Sequence, residues 1–330
     1  MQPFVISLGD PAGIGPEITA KAWEARSSAG LVPFFAVGDI GSITAVWDGP
    51  VQNIESADEA AAVFNDALPV WHLESSGPVT PGVPTHEGAL VALKALELGA
   101  GLVRSGGAGA LITAPVSKSQ LYKVGFNHPG QTEFVAEHCG VCSKNATMML
   151  AGPGLRVVPV TIHVPYKDVP DLLTVDLIKA RAHATARGLT RNFGIERPRL
   201  AIAGLNPHAG ENGSIGREEI DVIAPAVAEL VAEGIDITGP HPPDAMFTPM
   251  MRETYDAALC LYHDQGLIPL KALHFDEGVN MTLGLPIIRT SPDHGTAFAI
   301  AGQNKAHPGA MIAAIRMAAE AAKHRALVDA

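Results

Sequence analysis

Short apolar runs that end in polar or glycine-containing loops recur along this 330-residue chain. Such runs, bounded by turn residues, predict buried strands at residues 4–8, 31–37 and 109–112. Between them lie longer stretches with helical patterning. The predicted helices are residues 17–26, 86–103, 175–191, 218–233 and 308–327. This alternation predicts an α/β fold with a mostly parallel sheet.

Three of the apolar runs each deliver one histidine at or just after their end. Residues 155–162 lead into His163, residues 199–205 lead towards His208, and residues 257–262 lead into His263. Because the carboxyl ends of parallel strands meet at one edge of a sheet, we expect the three imidazoles to form one site. Three imidazoles with an open position suit a catalytic divalent metal. The alternative for any single histidine is a hydrogen-bonded core or loop residue.

Other polar positions suggest anion binding. Lys271, Asn280 and Arg289 follow at intervals of nine residues, and two cations with an amide suit a small phosphate or carboxylate ligand. Solvated surface residues are the alternative. The turn at residues 9–17 joins a strand to a helix, where backbone N–H groups can approach an anion or cofactor. It matches neither the Gly-x-Gly-x-x-Gly nor the Walker pattern.

Composition narrows the class of protein. Hydrophobic residues make up 47% of the chain and charged residues 17%, which is typical of a globular protein. The formal charge of −11 argues against a general nucleic-acid binder. Three cysteines do not make a disulfide framework, and the first residues lack a signal-peptide pattern. No apolar stretch approaches the roughly 20 residues that span a bilayer, so we expect a cytoplasmic protein without membrane contact.

Five ordered motifs resemble the 4-hydroxythreonine-4-phosphate dehydrogenase family of pyridoxal phosphate biosynthesis. The motifs are residues 9–17 (Gly-Asp-Pro-Ala-Gly-Ile-Gly-Pro-Glu), 132–134 (Thr-Glu-Phe), 206–211 (Asn-Pro-His-Ala-Gly-Glu), 263–266 (His-Asp-Gln-Gly) and 293–297 (Asp-His-Gly-Thr-Ala). More distantly, the first and last of them look like the nicotinamide-binding loops of isocitrate and isopropylmalate dehydrogenases. That relation accounts for the missing dinucleotide fingerprint.

The resemblance implies an α/β/α sandwich of two subdomains with the isocitrate/isopropylmalate dehydrogenase-like fold. Residues 1–128 and 275–330 would form the dinucleotide-binding subdomain, and residues 129–274 the metal-binding and dimerisation subdomain. The active site would lie in the cleft between subdomains and would be shared across a homodimer interface.

The resemblance also assigns roles to individual residues. It implies one divalent metal, with zinc favoured and magnesium or cobalt as alternatives, and NAD or NADP as cofactor. The implied metal ligands are His163, His208 and His263. The implied substrate contacts are Gln131, Thr132, Lys271, Asn280 and Arg289. The implied cofactor contacts are Gly13, Gly15, His294, Gly295 and Thr296. For proton transfer we consider Asp244 and Asp264 first, with Lys271 as the third catalytic residue.

The implied reaction is oxidation of 4-phosphooxy-L-threonine at C3, with decarboxylation to 3-amino-2-oxopropyl phosphate. Two residues depart from the family pattern. Gln131 replaces a histidine that contacts substrate, and Ala299 replaces an acidic residue near the cofactor. Relatives oxidise 4-phospho-D-threonate, 4-phospho-D-erythronate or aromatic cis-dihydrodiols, so these substrates stay open, as does a non-catalytic phosphometabolite-binding paralogue. Lys271, Asn280 and Arg289 favour a phosphorylated substrate over a dihydrodiol.

Overall fold

The computed structural model describes residues 2–328, so the first residue and the last two of the predicted dinucleotide-binding subdomain lie outside the described residues. The strands are β1 (Phe4–Ser7), β2 (Phe34–Gly38), β3 (Val51–Asn53), β4 (Leu68–His72), β5 (Leu111–Thr113), β6 (Thr147–Gly152), β7 (Leu155–Pro159), β8 (Arg199–Ala203), β9 (Asp236–His241), β10 (Ala257–Cys260), β11 (Val279–Leu283) and β12 (Arg289–Pro292).

The helices alternate with these strands. They are α1 (Gly15–Glu24), α2 (Arg26–Ala29), α3 (Ile40–Thr44), α4 (Ala60–Val63), α5 (His86–Arg104), α6 (Lys118–Leu121), α7 (Gln131–His138), α8 (Val169–Leu172), α9 (Val175–Phe193), α10 (Ala224–Ala232), α11 (Pro243–Met246), α12 (Pro249–Arg252), α13 (His263–His274) and α14 (Gly309–Val328). No helix within residues 2–328 is both long and apolar enough to cross a membrane.

The chain divides into two compact units. The first comprises Met1–Ala146 and Leu285–Lys323, and the second comprises Thr147–Gly284 and His324–Ala330. In the first unit the strand order is β3-β4-β2-β1-β5-β12, and every pairing is parallel. These strands are short and mostly buried, as expected for a parallel sheet whose faces are covered by helices.

In the second unit the strand order is β11-β6-β7-β10-β8-β9. Strand β6 pairs antiparallel with both β11 and β7, whereas β7, β10, β8 and β9 run parallel. The β6–β7 hairpin turns at residues 153–154, where Gly154 has a positive φ of 77° that suits a tight turn. The α/β class with a mostly parallel sheet, predicted from the alternation of patterns, is confirmed.

The unit boundaries fall after Ala146 and Gly284, whereas the sequence predicts them after residues 128 and 274. Packing explains both differences. The apolar residues Phe134 and Val135 of α7 belong to the same buried cluster as Leu96 of α5, so residues 129–146 stay with the first unit. Strand β11 pairs along its length with β6, which keeps residues 279–283 in the second unit. The binding roles assigned to the two units stay predictions.

Candidate active site

In the second unit, the three predicted histidines follow the carboxyl ends of neighbouring strands. Strand β10 lies between β7 and β8 and is parallel to both. His163 follows β7, His263 begins α13 three residues after the last residue of β10, and His208 follows β8. The ring centroids of His163 and His263 are 5.4 Å apart. The hydroxyl of Thr161 donates to the carbonyl of Leu261 at 2.7 Å, which joins the first two strand ends.

Backbone strain is concentrated at two of these histidines. His163 and His208 both have a φ of 52°, and every residue from His208 to Asn212 has a positive φ. For residues other than glycine this left-handed conformation is unfavourable by about 1–3 kcal/mol each. Such strain persists only where surrounding structure enforces it, and it occurs most often at functional sites.

Two of the histidines are held by a neighbouring carboxylate. The Nδ1 atom of His263 lies 2.7 Å from Oδ1 of Asp264, and Nδ1 of His208 lies 2.6 Å from Oε1 of Glu211. The hydrogen bond that His208 donates to Glu211 raises the pKa of its imidazole above the usual value. A carboxylate that accepts from Nδ1 leaves Nε2 with its lone pair, which is the arrangement of histidines that bind metals.

The donor set therefore fits a divalent metal in its chemistry. Within residues 2–328, however, no group of three or more histidine, cysteine or acidic side chains lies close enough to hold a metal ion. The side chain of His208 is 65% exposed and directed to Glu211. The three-histidine metal centre stays a prediction.

A pocket of about 190 Å³ opens beside His163 and His263. Its lining residues are Thr161, His163, Val164, Tyr166, Tyr262, His263 and Asp264. Tyr166 donates its hydroxyl to Oδ2 of Asp264 at 2.6 Å. This hydrogen bond, followed by the one with His263, holds the pKa of Asp264 below its usual value. The pocket wall thus contains an ionised carboxylate that is engaged on both oxygens.

The other predicted catalytic residues of this unit are exposed. Lys271 lies two turns after Asp264 on α13, and its charge contributes to the lowered pKa of that carboxyl. Asp244 lies in α11, and its charge contributes to the raised pKa of His208. The structure thus places Lys271 and Asp244 within electrostatic range of Asp264 and His208 respectively.

Gln265 is a site residue that our sequence analysis missed. Its buried side chain accepts from the backbone N–H of Leu261 at 2.7 Å and donates to the carbonyl of Gly204 at 2.7 Å. It therefore bridges the end of β10, two residues before His263, to the end of β8, four residues before His208. The sequence offers one signal for such a residue, a polar side chain at a position on the buried face of a helix. A buried amide needs hydrogen-bond partners, so Gln265 could have been expected to bind neighbouring backbone groups.

The first unit contains a buried cation. Arg289, the first residue of β12, is 3% exposed and donates from Nη1 to the hydroxyl of Thr132 at 3.2 Å and from Nη2 to that of Thr113 at 2.7 Å. Burial lowers its pKa to about 10, and the charge of Glu133 partly opposes that shift. The guanidinium remains protonated at neutral pH. The structure thus brings Arg289 and Thr132 together, and Thr113, at the end of β5, joins them.

Gln131 adjoins this group at the start of α7. Its Nε2 donates to the carbonyl of Ala114 at 3.3 Å, and its buried Oε1 has no hydrogen-bond partner within the described chain. The remaining predicted substrate contact, Asn280, belongs to the second unit, where it lies in β11 opposite Leu150. Its Oδ1 is likewise buried without a partner among residues 2–328. Two amide oxygens are therefore available to a ligand that donates hydrogen bonds.

The predicted cofactor loops meet in the first unit. The backbone N–H of Ile14 donates to the carbonyl of Thr296 at 3.0 Å. A Cβ atom at Gly13 would lie 3.1 Å from that same carbonyl, and one at Gly15 would lie 2.2 Å from the carbonyl of Leu8. Close packing inside the unit thus explains why positions 13 and 15 are occupied by glycine.

The other loop differs in its surroundings. Gly295 has no neighbouring atom within 4 Å of its missing Cβ, so its surface is open to a ligand. The adjacent His294 lies with its Nδ1 3.2 Å from the carbonyl of Gly295. Binding of a dinucleotide at these loops stays a prediction.

The chain resembles a family of known proteins over most of its length. The family model of the pyridoxal phosphate biosynthetic protein PdxA matches residues 35–318. A 4-hydroxythreonine-4-phosphate dehydrogenase from Zymomonas mobilis is 60% identical over 98% of this chain and 97% of its own. The solved structure of the enzyme of that name from Klebsiella pneumoniae has a TM-score of 0.86 at 36% identity, covering 97% of this chain and 98% of its own. An isocitrate dehydrogenase from Methylococcus capsulatus shares the fold alone, with a TM-score of 0.51 at 14% identity over 100% of this chain and 88% of its own.

Proposed function

This chain belongs to the family of the pyridoxal phosphate biosynthetic protein PdxA, and we propose that it oxidises 4-phosphooxy-L-threonine at C3 with NAD or NADP. Decarboxylation to 3-amino-2-oxopropyl phosphate would follow. The similarity to 4-hydroxythreonine-4-phosphate dehydrogenases along nearly the whole chain supports this reaction. The buried Arg289 carries the proposal in structural terms, because its positive charge lies beside the hydroxyls of Thr113 and Thr132, and charge and hydroxyls together are suited to an anionic ligand.

The substrate phosphate is proposed to bind at Arg289 and Thr132. A phosphate group is opposite in charge to a guanidinium and offers it several strong hydrogen-bond acceptors. Gln131 would then serve as an acceptor rather than as a phosphate ligand, because its Nε2 already donates to Ala114. Lys271 and Asn280 are the proposed substrate contacts of the second unit.

The metal is proposed to bind at His163, His208 and His263, with zinc as the favoured ion and magnesium or cobalt as alternatives. A divalent cation bound there would supply Lewis-acid activation of a hydroxyl or carbonyl oxygen. The chain's own contribution is orientation: Asp264 and Glu211 fix the tautomers of His263 and His208 by accepting from Nδ1.

Proton transfer is proposed to involve Asp244 and Lys271 rather than Asp264. Both oxygens of Asp264 are engaged, and its pKa is lowered, which makes it a weak base at neutral pH. Asp244 and Lys271 are exposed and near the histidine-bearing elements, so they can exchange protons with solvent.

The cofactor is proposed to lie against Gly295 and the backbone around Gly13, His294 and Thr296, where a nicotinamide would accept the hydride from C3. Gly15 supports this surface from within by permitting the close approach to Leu8. Turnover measured with each of the two cofactors distinguishes NAD from NADP.

A homodimer with a shared active site is also part of the proposal. Large exposed apolar side chains occur mostly in the second unit and include Met250, Ile268 and Phe275, each at least 66% exposed. Association that covers such side chains would remove apolar surface from water, which is favourable. Light scattering, which reports molar mass in solution, decides between monomer and dimer. The cytoplasmic location stays a prediction.

Reduction of NAD and NADP by the purified protein tests the proposed reaction. The protein is incubated with a divalent metal and with 4-phosphooxy-L-threonine, 4-phospho-D-threonate, 4-phospho-D-erythronate or an aromatic cis-dihydrodiol. Fast turnover of 4-phosphooxy-L-threonine supports the proposal. If another of the four compounds is turned over faster, that compound is the substrate instead. Absence of turnover with all four favours a non-catalytic phosphometabolite-binding protein.

Replacement of one proposed ligand tests the metal assignment. We expect His208→Ala to abolish metal-dependent turnover and to leave the thermal midpoint nearly unchanged, because the side chain is largely exposed. His183→Ala is the matched control, since Nε2 of His183 also lies 2.6 Å from a carboxylate, that of Glu233, away from the strand ends. Unchanged turnover in His208→Ala would remove the metal proposal.

A further inference from the structure

A buried carboxylate lies beneath the loop that carries His208. Glu219 is 4% exposed and begins the π-helical turn Glu219–Ile223 that precedes α10. Its Oε1 accepts from the backbone N–H groups of Leu205 and Asn206, both at 2.7 Å. Its Oε2 accepts from the side-chain amide of Asn206 at 2.9 Å. One side chain thus receives three hydrogen bonds from the segment that links β8 to His208.

These hydrogen bonds are what makes the burial of this charge possible. An ionised carboxylate removed from water is strongly unfavourable unless it is paired or hydrogen-bonded. No ion pair of Glu219 is found within residues 2–328, so N–H donors provide its stabilisation. Hydrogen bonds to an ionised acceptor are about twice as strong as those between neutral groups.

The loop is also shaped to this carboxylate. A Cβ atom at Gly204 would lie 3.2 Å from Oε1 of Glu219, and one at Gly210 would lie 2.6 Å from Oε2. The two glycines therefore allow the backbone to approach Glu219 from both sides of the loop. A larger residue at position 210 would collide with the carboxylate, and the φ of 79° at Gly210 disfavours any replacement.

The hydrogen bonds of Glu219 matter because the loop that they hold is strained. The left-handed residues 208–212 begin two residues after Asn206, which is bound to Glu219 through both its backbone and its side chain. Without a fixed starting point, the strained segment would relax into more favourable conformations. We propose that Glu219 is a positioning residue: it fixes the backbone of the loop that carries His208 beside the end of β8 and thereby supports metal binding by that histidine. This inference rests on the proposed function.

Glu218 offers a matched control for Glu219. It is the neighbouring residue and it also accepts from the side-chain amide of Asn206, at 2.7 Å, which lowers its pKa. It accepts nothing from the backbone of Leu205 or Asn206 among the hydrogen bonds of the described chain. Loss of the Glu218 charge therefore leaves both backbone contacts of the loop in place.

The test compares Glu219→Gln and Glu218→Gln with the unmodified protein. A glutamine at position 219 directs an NH₂ group at a donor, the amide of Asn206 or the backbone N–H groups, so at least one hydrogen bond is lost. Zinc and cobalt dissociation constants are measured by competition with a chromophoric chelator, without substrate or cofactor. We expect Glu219→Gln to weaken metal binding by about 10–100-fold. Glu218→Gln is expected to bind close to wild type.

Amide hydrogen exchange of residues 205–212 in the metal-free proteins provides a second measurement. We expect faster exchange in Glu219→Gln than in Glu218→Gln, with other segments unchanged. A folded Glu219→Gln variant with wild-type metal affinity would overturn the inference. If that variant does not fold, Glu219→Asp keeps the charge at shorter reach, and wild-type exchange rates in its loop would overturn the inference equally.

Failure of the proposed function can be distinguished from failure of the inferred role of Glu219. If the unmodified protein binds neither zinc nor cobalt, the metal part of the proposed function is wrong, and with it the role of Glu219 in metal binding. If the unmodified protein binds metal but shows no turnover, the affinity comparison still tests Glu219. A merely structural glutamate would lower the thermal midpoint without changing metal affinity in the folded variant.

Discussion

The two units hold their candidate functional groups in opposite ways. In the first unit, the cation of Arg289 is buried and donates to two threonine hydroxyls. In the second, the imidazole of His208 is largely exposed on a strained loop and is oriented by carboxylates. A buried charge is costly to the fold, whereas an exposed group on a strained loop depends on the residues behind it. Substitutions in the two units should therefore have different consequences.

Replacement of Arg289 gives the largest expected effect. We expect Arg289→Met to lower kcat/KM by about a hundredfold to a thousandfold, since removal of a buried hydrogen-bonded charge from a ligand contact costs about 2–5 kcal/mol. We expect stability to stay the same or to rise. The pKa of Arg289 is lowered to about 10, so the folded state binds this proton less tightly than the unfolded state. The charged form is therefore unfavourable to folding at neutral pH, and the penalty disappears only as pH rises above about 10.

Arg181→Met is the matched control for this comparison. Burial lowers the pKa of Arg181 too, and its Nη1 donates to the hydroxyl of Thr147 at 3.1 Å. We expect this control to keep wild-type kcat/KM. Steady-state kinetics and thermal denaturation of both variants provide the measurement. A loss of stability in Arg289→Met with little loss of activity would show that Arg289 is structural.

Replacement of Gln265 tests the second unit, in which supporting residues hold the strand ends. In Gln265→Leu the backbone N–H of Leu261 and the carbonyl of Gly204 lose their partner. Each unsatisfied buried group costs about 1–3 kcal/mol, so we expect the loss of two partners to lower the free energy of unfolding by about 2–6 kcal/mol. Urea denaturation measures it.

Gln303→Leu is the control, because the side chain of Gln303 makes only exposed contacts within the described chain: it donates to the carbonyl of Ala299 and accepts from Nζ of Lys305. We expect this control to change stability by less than about 0.5 kcal/mol. Equal stabilities of the two glutamine variants would mean that the bridge between the strand ends contributes nothing.

The sequence predicted the histidine-bearing strand ends because their signal is local. Apolar runs that end in polar residues mark the edge of a parallel sheet, and chain order alone suggested that the three ends belong together. The observed order β7-β10-β8 confirms that the strand ends are neighbours. The predicted family and the isocitrate dehydrogenase-like α/β fold are likewise confirmed. The roles of the individual residues stay predictions.

The supporting residues could not be predicted in the same way. Glu219 and Gln265 bind backbone N–H and carbonyl groups. Almost every residue has these groups, so the residue type of the partner does not show that the contact exists. The unit boundaries escaped prediction for a related reason. Helix α7 carries the apolar pattern of any amphipathic helix, and only packing against α5 decides the unit to which it belongs.

The smallest expected effect concerns Asp264 and distinguishes its two possible roles. Because the folded-state pKa is lowered below 3.8, the carboxylate contributes stability above about pH 4 and loses that contribution as pH falls through the lowered pKa. The group is exposed, so the contribution is well under 1 kcal/mol. Asparagine at this position can still accept from Nδ1 of His263, but it carries no charge. We therefore expect Asp264→Asn to weaken zinc binding by less than about tenfold.

The pH dependence of kcat provides the decisive measurement for Asp264. A residue that only orients His263 leaves the acidic limb of the profile in place when its charge is removed, so Asp264→Asn should lower kcat uniformly. If Asp264 is the general base, the acidic limb should be absent from the pH profile of Asp264→Asn. Tyr166→Phe is the companion variant: it removes the hydroxyl that donates to Oδ2, and the pKa of Asp264 should rise towards 3.8. An acidic limb that moves upward in Tyr166→Phe would restore Asp264 as the base, because only a titrating catalytic group transmits its pKa to the rate.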